Sequence, residues 1–79
     1  MFLYQLTNKT KNKRFVGLAI NYQNPVEYHK ARKIIPPLYD DLRMGDVFEY
    51  VILARPRSLN VAERLEEQYI KTLKPEYNV

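Results

Sequence analysis

Apolar and polar positions alternate at the start of the chain. Phe2, Tyr4 and Leu6 share one side of an extended segment, and Leu3, Gln5 and Thr7 share the other. A two-residue period over Phe2 to Thr7 predicts a strand with one strongly apolar face. The polar stretch Asn8 to Lys13 predicts a turn, and Arg14 to Ala19, with Phe15, Val16 and Leu18 inside it, predicts a second strand. Two strands joined by a short polar turn form a β-hairpin. Asn24-Pro25 then signals a helix start, because asparagine caps free amides and proline fits the first helical position. That helix is expected from Pro25 to about Ile34, with Pro36-Pro37 stopping it and one short helical turn following over Leu38 to Arg43. The run Val47 to Ala54 is β-branched, aromatic and nearly all apolar, which predicts a strand buried on both faces. The last helix is expected to be capped by Asn60, with Glu63 in capping-box position, and to end near Leu73, before Lys74-Pro75. The resulting order is strand, strand, helix, short helix, strand, helix, an α+β arrangement in a single domain spanning residues 1–79.

On a helical wheel, Ala62, Leu65, Tyr69, Ile70 and Leu73 of the last helix form one apolar arc. Glu66 falls inside that arc, and Glu63 falls at its edge. A carboxylate facing a core is costly unless it is paired or binds a cation. Glu66 is therefore expected to form an ion pair with a base from the first half of the chain, to reach out to the solvent at the rim, or to carry function.

Composition narrows the chemistry. The chain has no cysteine and one histidine, which excludes disulfides, thiolate cages and any zinc site made of several imidazoles. No apolar run approaches the roughly 20 residues that span a bilayer, and the first residues lack the pattern of a signal peptide. A soluble, cytoplasmic protein that does not enter membranes is expected. The formal net charge is +4 and is unevenly spread: residues 1–39 hold seven Lys/Arg and one acid (+6), and residues 40–79 hold six Lys/Arg and eight acids (−2). This asymmetry predicts a polyanion-facing surface. The candidate phosphate contacts are Lys9, Lys11, Lys13 and Arg14 at the hairpin tip, and Lys30, Arg32 and Lys33 on the first helix.

The two ends of the chain, taken together, resemble the GIY-YIG nuclease family. Phe2-Leu3-Tyr4 stands where that family has Gly-Ile-Tyr, and Phe15-Val16-Gly17 stands where it has Tyr-Ile-Gly or Tyr-Val-Gly. The segment from Glu66 to Asn78 is similar to the family's closing helix and its Pro-x-Tyr-Asn tail. The resemblance covers the whole chain, though residues 20–46 fit only in outline. It implies a small three-stranded sheet flanked by helices, and a site that hydrolyses phosphodiester bonds with one divalent metal, Mg2+ or Mn2+, held by the last-helix glutamate. Attack by water on an anionic phosphodiester calls for a Lewis acid, a base and fixed positive charge.

Carried over residue by residue, Tyr4 matches the first motif tyrosine, although its apolar face also suits core packing. Glu66 matches the metal ligand and Asn78 the tail asparagine. His29 falls where some members place a histidine. Two departures stand out. Phe15 keeps a ring but lacks the second tyrosine's hydroxyl, and Pro25 occupies the place of the family arginine, leaving Arg32, almost two turns further on, or its neighbour Lys30 to supply that charge. The resemblance and the charge together imply a nucleic-acid-binding protein, with DNA the first candidate, descended from metal-dependent endonucleases and catalytically weak or inactive. An active Mg-dependent endonuclease with a rearranged site, assisted by a protein partner or a second copy, is the alternative. A fold recruited as a small protein-binding inhibitor or decoy, using Tyr22, Tyr28 and Tyr39, is the third.

Overall fold

A computed structural model of the chain describes residues 1–21 and 24–78; the candidate contact Tyr22 lies outside them. The two predicted N-terminal strands form an antiparallel hairpin, β1 (Phe2–Asn8) and β2 (Lys13–Ala19), in which Tyr4 opposes Gly17 and Leu6 opposes Phe15. Helices α1 (Pro25–Ala31) and α2 (Pro36–Arg43) follow, then β3 (Phe48–Ala54), α3 (Leu59–Leu73) and a short 3-10 turn over Glu76–Asn78. The sheet order is β2-β1-β3, antiparallel throughout. The expected α+β order of elements is therefore present. Among the described residues no helix is long and apolar enough to cross a membrane.

The alternation in β1 sorts the core into two layers. Phe2, Tyr4 and Leu6 pack with Phe15 and Ala19 of β2, Leu38 and Leu42 of α2, and Tyr77 of the tail. Leu3 and Val16 alternate to the other face and are fully buried. Helix α3 contacts both β1 and β2 and buries Ala62 completely.

Four expectations need correction. Helix α1 ends at Ala31, and Arg32 is already extended (φ −133°, ψ 124°). A residue before proline avoids the helical region, and Ile35 before Pro36 is extended accordingly. Pro36 then opens α2, so the proline pair starts a helix as well as stopping one. The cap of α3 is Ser58, whose Oγ accepts from the Val61 amide at 3.3 Å, and Asn60 sits inside the first turn. The largest miss is β3. It is an edge strand, not a buried one: Tyr50, Val51 and Ile52 are 37%, 52% and 41% exposed. An apolar run of this length reads the same whether a neighbour covers it or not, and here, among the described residues, β1 alone pairs with it.

The least expected feature is a buried polar network around Asn8, which is fully buried. Its Oδ1 accepts from the amides of Thr10 and Lys11 at 2.9 and 3.0 Å, closing the hairpin turn. Its Nδ2 donates to Asp46 Oδ2 at 2.8 Å and to Tyr77 Oη at 3.0 Å. The Tyr77 hydroxyl donates in turn to Asp41, and Lys11 Nζ reaches Asp41 at 2.6 Å and Asp46 at 3.1 Å. Burial alone pushes the Asp41 carboxyl up, but the hydrogen bonds from Lys11 and Tyr77 and the charges of Lys11 and Lys13 hold it below the usual carboxylate range. The Tyr77 hydroxyl is pushed up to about 12, by burial first and by its bond to Asp41 second.

The C-terminal turn also closes one edge of the sheet. Asn78 Oδ1 accepts from the Val16 amide, and its Nδ2 donates to the Val16 carbonyl, both at 2.8 Å. Glu76 Oε1 accepts from the Arg14 amide at 2.8 Å. Side chains here take the place of a fourth strand, a way of blunting an edge.

Two predictions follow from this network. Asn8→Ala removes four hydrogen bonds and orphans buried partners, so urea denaturation should register a loss of roughly 3 kcal/mol; a loss within error of zero would show that the network does not hold the fold. The folded pKa of Asp41 lies below its unfolded value of 3.8. Its contribution is therefore complete above that value and lost as pH falls through the lower folded value. Asp41→Asn should be less stable at neutral pH and should lose less on acidification, as thermal melts across pH 2 to 7 would measure.

Candidate functional site

Tyr4 is 3% exposed, and its side chain leans across Gly17 on the neighbouring strand. A Cβ at position 17 would stand 2.6 Å from Tyr4 Oη and 2.7 Å from the Phe15 ring. Glycine at 17 is therefore a requirement of packing: the missing side chain is the space in which the Tyr4 hydroxyl lies. From there Tyr4 Oη meets His29 Nε2 of α1 at 2.8 Å. The Phe15 ring stands edge-on to the His29 imidazole, with centroids 5.0 Å apart, and Tyr28 does the same at 5.2 Å.

This environment sets the protonation states. His29 is 4% exposed, and burial lowers its pKa from 6.5, so the ring is neutral at neutral pH. Its Nδ1 is buried with no hydrogen-bond partner among the described residues. A neutral ring carries one proton. Placing it on Nε2 leaves only a bare lone pair at Nδ1, a smaller loss than a buried orphan N–H. In that tautomer His29 donates to Tyr4, and the Tyr4 hydroxyl proton is free for a ligand. Tyr4 itself is held well above the usual tyrosine range, by burial first, then by Tyr28 and Glu66. It is a hydrogen-bond donor at neutral pH, not a ready base.

Glu66 approaches from α3, near enough for its charge to act on Tyr4. It is half-buried, and its carboxyl is raised by burial first and by Glu63, one turn earlier, second. Among the described residues it makes no ion pair. The wheel therefore anticipated a partly buried carboxylate, and the ion pair offered as its simple explanation is not formed. Among the described residues no group of three or more His, Cys, Asp or Glu converges on one point. One carboxylate still fits Mg2+ or Mn2+, which take hard oxygen ligands and often keep water and substrate oxygens in the remaining positions.

The structure brings Tyr4, Phe15 and His29 together, with Glu66 in electrostatic reach. Asn78 does not join them and is spent on the edge of β2. Arg32, expected from the resemblance to stand in for an arginine, lies beyond the end of α1 with its guanidinium 4.6 Å from the centre of the Tyr28 ring. Pro25 occupies the first turn of α1 and is buried.

The basic hairpin tip is largely committed to the fold. Lys11 is tied to Asp41 and Asp46, and the Arg14 guanidinium donates to the Leu73 carbonyl at 2.7 Å. Lys13 lies 5.9 Å from the Tyr77 ring centre, and Lys9 pairs loosely with Glu49 at 3.5 Å. Lys30, Arg32 and Lys33 remain exposed. Local charge counting cannot separate the two groups, because the acids that engage Lys11 lie 30 and more residues away.

A pocket of about 200 Å³ opens beside Tyr4, lined by Leu18, Ala19, Ile20, Asn21, Pro25 and Tyr28 as well. A shallower groove, lined by Asn24, Glu27, Tyr28 and Arg32, adjoins it through the shared Tyr28. No family model matches the chain, and no curated protein or solved structure matches it.

Gly17→Ala tests the packing of this site. The new methyl displaces both rings, at a cost of about 1–3 kcal/mol, and separates Tyr4 from His29. Nitrogen-detected NMR titration should find the wild-type His29 pKa below 6.5, and find it moved upward in the variant as solvent reaches the ring. An unmoved His29 titration would show that Gly17 does not control the pair.

Proposed function

We propose that this protein binds nucleic acid through its phosphate backbone, on a fold of the GIY-YIG type, and is weak or inactive as a nuclease. The observation that carries the reading is the meeting of Tyr4 and His29 at 2.8 Å with the Glu66 charge acting on the same hydroxyl. These groups come from β1, α1 and α3. A donor hydroxyl backed by imidazole suits a phosphate oxygen. The exposed cations Lys30, Arg32 and Lys33 supply the charge that lines up a polyanion beside it.

Weak catalysis follows from what the site lacks. Phe15 fills its wall with a ring that cannot donate or accept a proton. The arginine expected on α1 is replaced by Pro25, and Arg32 is held over Tyr28. Losing one fixed donor to a transition state typically removes about two to three orders of magnitude in rate. A bound Mg2+ or Mn2+ would supply Lewis-acid activation of the phosphate, and Glu66 is the residue that would hold it. The alternative, an active endonuclease, is favoured by one fact: Glu66 is partly buried, raised and without an ion pair, the state from which a carboxylate gains most by meeting a cation.

Both readings are tested in one pair of assays. Retention of DNA and RNA should weaken with salt, and changing Lys30, Arg32 and Lys33 together to Gln should lower the log–log salt slope by about 2 to 3. The absence of retention at low ionic strength would put the protein-binding reading first. With Mg2+ or Mn2+, wild type and Glu66→Ala should show equal, negligible cleavage of plasmid, single-stranded DNA and RNA. Robust nicking by wild type that disappears in Glu66→Ala would establish the active nuclease.

A further inference from the structure

The surface around the α1–α2 connection alternates cations and aromatic rings. Arg32 lies over Tyr28 at 4.6 Å. The next residue, Lys33, turns to Tyr39 at 5.8 Å, and Arg43 reaches the same ring at 5.9 Å. Tyr28 is shared between two concavities. It lines the groove with Arg32 and also lines the pocket of about 200 Å³ beside Tyr4. That pocket is polar and apolar in about equal parts, with Tyr4, Tyr28 and Asn21 among its lining and Ile20, 67% exposed, on its wall.

The geometry points to a nucleobase pocket: the strand held by the basic surface is single-stranded, and one of its bases enters the pocket and stacks on Tyr28, with its phosphates near Arg32 and Lys33. The inference rests on the nucleic-acid reading above and specifies its ligand. Three features support it. The pocket is smaller than the roughly 300 Å³ at which sites for drug-sized molecules begin, which suits a single flat heterocycle. Any base offers a π-face to a tyrosine, so stacking with adjacent cations retains single strands without a sequence code. A paired base in a duplex keeps its faces stacked on its neighbours and cannot offer them to Tyr28.

Fluorescence anisotropy with four labelled probes tests this: oligothymidylate, oligouridylate, an abasic strand with the same number of phosphates, and a duplex of that length. The base-bearing strands should bind wild type about tenfold more tightly than the abasic strand, within the range of one base–aromatic stack. Tyr28→Leu should abolish that advantage, so that base-bearing and abasic strands bind the variant alike. Tyr28→Phe should preserve it, since the ring remains. Ile20→Ser, at an exposed position, should reduce the advantage in the same direction. Equal binding of base-bearing and abasic strands, or equal weakening of every probe by Tyr28→Leu, would overturn the base pocket while leaving phosphate binding intact. Full displacement by a mononucleotide, with no advantage for the strand, would overturn the single-strand assignment. Failure of all four probes to bind would overturn the nucleic-acid reading itself.

Discussion

The fold depends on satisfying one buried amide. Asn8 ends β1 in a place without solvent, and all four of its side-chain hydrogen-bonding positions must be met from the chain itself. They are met by the hairpin turn, by Asp46 before β3, and by Tyr77 near the C-terminus. An asparagine so placed is far more expensive half-satisfied than satisfied. The turn, the α2–β3 connection and the tail are therefore not independent loops. Each is held in position by the same side chain, and through Tyr77 and Lys11 the constraint extends to Asp41 on α2.

The same network explains why the charge pattern of the chain is only partly a map of its surface. The excess of bases in the first half is real, but Lys11 and Arg14 are spent on acids and carbonyls from the second half. The two oppositely biased halves partly neutralise one another on folding. What remains available is the cluster at and beyond the end of α1, where residues 32–35 join two helices.

The parts legible in the sequence are those governed by local rules. The hairpin followed from alternation, the start of α1 from Asn24-Pro25, and the end of α3 from Lys74-Pro75. The half-buried Glu66 followed from a wheel. The parts that were not legible depend on partners far along the chain. Nothing near Asn8 announces Tyr77, 69 residues away. The run in β3 was apolar enough for a central strand, but periodicity says nothing about whether a neighbour exists. The Tyr4–His29 contact lies between these cases. Both residues were singled out, but their hydrogen bond depends on the empty space above Gly17, which only the packed sheet defines.

The side-chain closure of β2 has a consequence for how the protein is made. During synthesis the hairpin leaves the ribosome early, while Glu76, Tyr77 and Asn78 follow more than 60 residues behind their partners Arg14, Asn8 and Val16. Until then the amide of Asn8 lacks one of its partners and the outer edge of β2 stands open. The nascent domain therefore passes through a stage in which both sheet edges are unprotected. Pulse proteolysis of ribosome-stalled chains should find protection arriving only after residue 78 clears the exit tunnel; full resistance at an earlier stall would show that the sheet closes without its tail.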